Sequence, residues 1–218
     1  MLALPDLPRW VEAHGIAADA EGWREELGAG FALGHDRARL IVVAGEVEGE
    51  DVRRLAARPH VILVEREELA LATGRAVERA ILHALADASA LPDYEGAVPL
   101  GDGPLPLGAR ALPAALADEL AWARERGPVW SAWVDGEPAC FAYAPWRSAG
   151  LFDVSVDTLP GARQMGLATI VAAAMIRDER SRGREPVWGA NESNHASLRL
   201  AKRLGFEPVD EIWVCAPS

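Results

Sequence analysis

Leu151-Phe-Asp-Val-Ser-Val-Asp-Thr158, followed by Leu-Pro-Gly-Ala-Arg163-Gln-Met-Gly166-Leu-Ala168-Thr169, is the stretch whose reading decides the fold. Residues 151–158 alternate apolar and polar side chains, the period of a strand with one buried face. A Pro-Gly turn follows, and from about residue 166 to 182 the period changes. Leu167, Ile170, Val171, Ala174 and Met175 fall on one stripe of a helix. A strand entering a helix through small residues leaves several backbone N–H groups without intrahelical partners, next to the positive end of the helix dipole. That is an anion site, with Arg163 adding a positive charge and Gly166 and Ala168 allowing close approach. The stretch lacks the Gly-Lys-Ser/Thr of a nucleotide triphosphate loop, and only Gly166 of a G-x-G-x-x-G fingerprint is in place.

Reading outward, residues 186–190 form a short strand, 195–204 a helix and 206–215 a closing strand. Asn194 is suited to cap the helix and Gly205 to end it. Upstream, Pro113 opens a helix over 114–126 that stops at Gly127-Pro128. Residues 129–134 and 137–144 then read as strands joined by Asp135-Gly136, a two-residue hairpin signal.

Two segments, in this order and spacing, resemble the GNAT N-acetyltransferase superfamily. Thr158, Pro160, Arg163, Gly166 and Ala168 fit its V/T-x-P-x-x-R-x-x-G-x-G/A pattern. Asn194, Ser197, Gly205 and Phe206 fit a second pattern, N-x-x-S/A with Gly-Phe eight residues on. The resemblance covers roughly residues 129–214. It implies an α/β fold with a mixed, mostly antiparallel central sheet, splayed strands and flanking helices. It further implies an acetyl-CoA-dependent N-acetyltransferase that transfers the acetyl group to a small-molecule amine by direct attack. A CoA-binding sensor or scaffold without turnover is the alternative. Acetyl-CoA would lie where the strand ending at Thr158 splays from strand 186–190. Val156, Asp157 and Thr158 would pair with the pantetheine arm, and the N–H groups of Gln164, Met165, Gly166, Leu167 and Ala168 would hold the pyrophosphate beside Arg163. Asn194 and Ser197 would contact the arm from the next helix, while Arg199, Lys202 and Arg203 read as a solvated face that can approach outer phosphates.

An attacking amine must be neutral, so a carboxylate or water chain has to take its proton. Asp153 is the first candidate and Glu192, in the loop beside the cofactor helix, the second. Asp153 and Asp157 are four residues apart on one strand and project to the same side. Relatives often carry a tyrosine seven residues after the Asn194 position to protonate the leaving thiolate; here that residue is Ala201, leaving Ser197, Tyr143 or water for the task. Most of the 8 tryptophans are core residues, with Trp146 and Trp188 placed to wall an acceptor pocket.

The first half of the chain offers strands at 39–44 and 60–65, a helix at 51–57, and a second helix over 66–85 from the spacing of Leu69, Val77, Ile81 and Leu85. Gly28-Ala29-Gly30 and Gly101-Asp102-Gly103 read as turns. The expected organisation is a smaller α/β half over 1–90, divergent from the same fold and shaping the acceptor side. A Pro/Gly-rich linker follows over 91–108, and then the cofactor domain over 109–218. The chain has 218 residues, half apolar, and a net charge of -11, which repels nucleic acid and suits a cationic amine. No run approaches the ~20 apolar residues of a membrane span. The start lacks the charged region of a signal peptide, and two cysteines and scattered histidines make neither a disulfide framework nor a metal centre. The expectation is therefore a cytoplasmic protein with no metal, nucleic-acid or membrane partner. A homodimer is compatible with the sequence but not indicated by it.

Overall fold

The computed structural model describes residues 4–101, 103 and 112–217. In the first half lie α1 (Val11–Ala18), β1 (Gly22–Leu27), β2 (Ala29–His35), β3 (Leu40–Glu46), α2 (Gly49–Leu55), β4 (Val61–Val64), α3 (Glu67–Ala72) and β5 (Val77–Leu85). A short strand β6 (Ala97–Pro99) follows. The second half has α4 (Ala114–Arg124), β7 (Trp130–Val134), β8 (Glu137–Tyr143), β9 (Leu151–Asp153), β10 (Ser155–Thr158), α5 (Leu167–Ser181), β11 (Glu185–Asn191), α6 (His195–Arg203) and β12 (Phe206–Cys215). Counting β9 and β10 as one interrupted strand, the two halves share the order α-β-β-β-α-β-α-β.

The pairing repeats as well. In each half the first three strands are antiparallel neighbours and the third meets the fourth in parallel, β3 with β4 and β9 with β11. The last strands are exchanged: β12 pairs with β4 of the first half, and β5 pairs with β11 of the second. β12 and β5 also pair with each other over most of their length. One eight-stranded sheet, β1-β2-β3-β4-β12-β5-β11-β9, therefore runs through both halves, and β10-β8-β7-β6 continues as a second sheet of four.

The two sheets part at Val154. Its N–H donates to Val187 O at 3.0 Å, the last rung to β11, after which β10 pairs only with β8. Phe152, Val154 and Val156 alternate into the core beneath α5, with Ala172, Met175 and Ile176 on the helix side. That packing holds β9 and β10 as one strand while its neighbours diverge. At the far end of α5 the fully buried Glu179 accepts from Arg147 at 2.6 Å and lies 3.3 Å from Arg184, tying the β8–β9 connection to the helix.

One sequence expectation fails. Residues 66–85 do not form one helix: α3 ends at Ala72, Gly74 takes a left-handed φ of +69°, and β5 begins at Val77. The spacing i, i+4, i+8 of Val77, Ile81 and Leu85 fits a period of 3.6 and also a period of 2. Buried residues fall on both faces of β5, Ala80 and Leu82 on one and His83 on the other, so the polar alternation that marks a half-exposed strand is blurred. The β1–β2 hairpin was not read from the sequence, although its turn was: Gly28 sits there with a φ of +63°. Within 91–108, β6 forms an edge strand on β7; positions 102 and 104–108 fall outside the described residues, and with them part of the Gly101-Asp102-Gly103 turn.

Candidate active site

Between β10 and α5 the chain makes a short 3-10 turn (Pro160–Ala162) and then two left-handed steps, Gln164 at φ +66° and Gly166 at φ +81°. Those steps aim successive N–H groups to one side, forming a nest for an anion. Among the described residues, the N–H groups of Gln164, Met165, Gly166, Leu167 and Ala168 meet no main-chain acceptor; the first that does is Thr169, bonded to Gly166 O at 3.1 Å. A Cβ built on Gly166 would meet nothing within 4 Å, so the space above the loop is open and glycine is required by conformation. Residues 163–166 are exposed, and the Arg163 guanidinium lies beside the loop with Nε 3.5 Å from Thr158 O. These features fit a pyrophosphate.

The nest opens onto the gap between the sheets. Leu159 N–H turns to Ala139 O on β8 and Val154 N–H to β11, so alternation directs the N–H groups of Val156 and Thr158 toward the departed β11. Asp157, between them, directs its backbone to β8. An extended acyl arm can therefore take Val156 and Thr158 as its strand partners. Asn194 stands at the N-terminus of α6, where its side chain caps Ser197 N–H at 3.1 Å. Ser197 Oγ accepts from Trp188 Nε1 at 2.9 Å, which fixes the hydroxyl against β11. Arg199, Lys202 and Arg203 are exposed, and Ala201 is fully buried.

Because Phe152, Val154 and Val156 face α5, Asp153, Ser155 and Asp157 face the opposite side, where acidic groups from both halves meet. Tyr143 on β8 donates its hydroxyl to Asp157 Oδ2 at 2.8 Å, and Glu119 on α4 lies near the same hydroxyl. Burial, then the Asp157 charge, raises the pKa of Tyr143; burial raises that of Glu119. Glu12 on α1 lies against Asp153. Removal from water and then the Asp153 charge raise Glu12 above the carboxylate range. Asp153 rises too, from burial, with Glu119 adding to it and the Val154 N–H opposing. Asp153 is thus a carboxyl of raised basicity at the apex of the gap, next to the last rung between β9 and β11.

Glu192 is engaged differently. It is exposed, paired with Arg79 of β5 at 2.5 Å, and held below its ordinary pKa by that hydrogen bond. Trp188 packs against Phe206 in the core and Trp146 in the first half's core, 3% and 6% exposed. Glu12 and Glu119 went unread in the sequence because their helices carry no motif; a pattern of acids on faces turned toward Asp153 appears only once the halves are packed. The equivalent of the nest in the first half, between β3 and α2, reads Gly45-Glu-Val-Glu-Gly49, with Glu50 and Asp51 in the helix's first turn. Four carboxylates there repel a phosphate.

Asp19, Glu21 and His35 form a further cluster, with His35 Nε2 3.6 and 3.7 Å from the two carboxylates. His35 Nδ1 accepts from Ala38 N–H at 3.1 Å, which assigns the ring proton to Nε2 and makes that atom a donor instead of a metal ligand. No helix among the described residues is long and apolar enough to cross a membrane.

Residues 126–214 match the GNAT acetyltransferase family model. A protein assigned to the GNAT acetyltransferase family from Novosphingobium aromaticivorans has a similar structure, with a TM-score of 0.65 at 19% identity over 98% of both chains. A GCN5-related N-acetyltransferase-like protein from Streptococcus suis gives 0.65 at 15% identity over 95% of this chain and 97% of that one. A tandem GNAT protein from the clavulanic acid biosynthesis pathway gives 0.55 at 16% identity over 96% and 94%. At these identities the likeness is one of fold. No curated protein matches the chain.

Proposed function

We propose, from the match of residues 126–214 to the GNAT acetyltransferase family model and from the site's geometry, that the protein is an acetyl-CoA-dependent N-acetyltransferase acting on a small cationic amine. The observation that carries the reading is the run of unpartnered N–H groups at 164–168, set beside the opening between β10 and β11. Gln164, Met165, Gly166, Leu167 and Ala168 would hold the pyrophosphate with Arg163, Val156 and Thr158 the arm, and the N-terminal end of α6 its far side. The bound thioester supplies an acyl carbon open to an amine.

The chain's own contribution is to gather and deprotonate that amine. Glu12, Glu119, Asp153 and Asp157 make a negative field that draws an ammonium ion toward the gap. Asp153, at its apex, accepts the proton at Oδ, directly or through one water. A base whose pKa lies near the working pH takes a proton more effectively than an ordinary carboxylate, and burial provides that shift here. Tyr143 is held by Asp157, with Glu119 nearby, and its raised pKa keeps the phenol protonated, so its one O–H is a donor committed to Asp157. Ala201 brings no hydroxyl to the gap, so departure of the thiolate relies on its own stability and on water.

Asp153→Asn should lower kcat about 10²–10⁴-fold while acetyl-CoA affinity stays within twofold. Steady-state assay of thiol release over an amine panel, with calorimetry on the same variant, tests this. Undiminished turnover in Asp153→Asn would remove Asp153 as the base. Acetyl-CoA binding without turnover on any amine would favour the second reading, a CoA-responsive module, to which the alanine at 201 lends support.

A further inference from the structure

We infer that Gly189 on β11 is the specificity-determining residue of the acceptor side: the space left by its missing side chain takes an apolar group that the amine carries a few bonds from its nitrogen. The inference rests on the proposed acetyl transfer and names the class of amine within it.

Glycine weakens the middle of a strand, and it persists there to make a bulge, to let another backbone come close, or to admit a ligand. The first two do not apply at Gly189. β11 keeps one register with β5 from Val187 to Asn191, so there is no bulge, and Gly189 is not in left-handed backbone. Among the described residues, a Cβ there would meet one atom within 4 Å, Leu82 Cδ2 at 3.3 Å, the movable end of a side chain instead of a backbone. Yet Gly189 is exposed, although Val187, Trp188, Ala190 and Leu82 around it are all buried. The sheet therefore carries a pit at this one position.

The pit lies beside Asp153. Trp188 and Ala190 pack into the core beneath α5, so Val187 and Gly189 turn to the opposite face. Asp153 faces that side too and is the register partner of Val187. Gly189 is two residues further along β11, about 7 Å away, and lies beyond the last rung, where Val154 N–H meets Val187 O. The acyl arm would lie in the plane of the gap along β10, so a molecule reaching Gly189 from the Asp153 face is the acceptor. With its nitrogen at Asp153, the acceptor's carbon skeleton passes over Gly189. Leu82 and Val187 make an apolar floor there, which gains from covering hydrocarbon and would strand a charged group. The carboxylate end of the site holds the ammonium, and the pit holds a compact apolar group such as a ring or a branched chain.

The test uses the full chain with two primary amines, benzylamine and methylamine, assayed for thiol release, and calorimetric binding of benzylamine to the CoA complex. The parent should favour benzylamine at least about tenfold in kcat/KM. Gly189→Ala should cut that ratio about tenfold, and the larger Gly189→Val should cut it further. Because a side chain suits a strand better than glycine does, Tm should hold or rise in Gly189→Ala. A merely structural role would instead lower Tm and the turnover of both amines together, leaving the ratio unmoved. An unmoved ratio in both variants, a parent indifferent to the two amines, or no binding of benzylamine overturns the inference. If benzylamine binds the CoA complex and Gly189→Val abolishes that binding while neither amine is turned over, the pit stands and the reading as an acetyltransferase falls.

Discussion

Gly166 and Gln164 occupy left-handed backbone, and each does so for the same purpose, turning N–H groups outward from the start of α5. For a residue with a Cβ that conformation costs about 1 kcal/mol or more, held in place by the surrounding chain. Gly166→Ala meets no steric obstacle, since nothing lies within 4 Å, so its whole effect is conformational. It should weaken acetyl-CoA about 5–30-fold, the equivalent of 1–2 kcal/mol, with little change in Tm. Glu12 and Asp153 give a second residue-level expectation. Groups whose pKa is raised by folding stabilise the protein while protonated and lose that contribution as pH rises through the raised values. Burial raises both Glu12 and Asp153, the Asp153 charge adding to the first and the Glu119 charge to the second. Stability should therefore fall from pH 5 toward pH 8, and Glu12→Gln should gain more in Tm at pH 8 than at pH 5. An equal gain at both pH values would show that the charge is not the cause.

At the level of elements, most of what builds the cofactor side was legible. Strand 151–158, the helix after Gly166, the Asp135-Gly136 hairpin and the Asn194 cap each carry local signals, and local signals survive any tertiary arrangement. What the sequence hid is long-range. The break at Val154 separates β9 from β10 because β11 leaves, and no residue in 151–158 announces it. β5 looked helical because its spacing suits both periods, and only its position between β12 and β11 makes it a strand. Gly205 shows how tightly these elements are joined. It takes φ +88° at the end of α6, and its Cα faces Asp87, whose carbonyl oxygen would lie 2.3 Å from a Cβ. Ala86 and Asp87 N–H both donate to Gly205 O at 2.9 and 3.1 Å. Gly205→Ala should thus cost more than about 2 kcal/mol, through backbone strain and displacement of the β5 exit. Denaturant unfolding measures it, and a loss under 0.5 kcal/mol would mean that the contact relaxes freely.

For the whole molecule, the exchange of β5 and β12 makes the halves one folding unit despite their shared order of elements. A fragment ending at residue 90 would lack β12 between β4 and β5, and the remainder would lack β5 between β12 and β11. Each would expose a sheet edge in its centre. Neither fragment should unfold cooperatively alone, whereas co-expression should recover a complex with one transition in circular dichroism; a cooperative transition in the isolated 91–218 fragment would contradict this. The same repeat has diverged in chemistry. The loop before α5 gathers N–H groups and an arginine, while its counterpart before α2 gathers Glu46, Glu48, Glu50 and Asp51. The anion nest is confined to the second half, the only half whose loop carries the motif. The central claim is thus a single cofactor site at 163–168. Calorimetric titration of the full chain with acetyl-CoA tests it most directly: it should show one molecule bound per chain, with affinity reduced at least tenfold in Arg163→Glu. Absence of binding, two equivalent sites, or an affinity that Arg163→Glu leaves unchanged would contradict it.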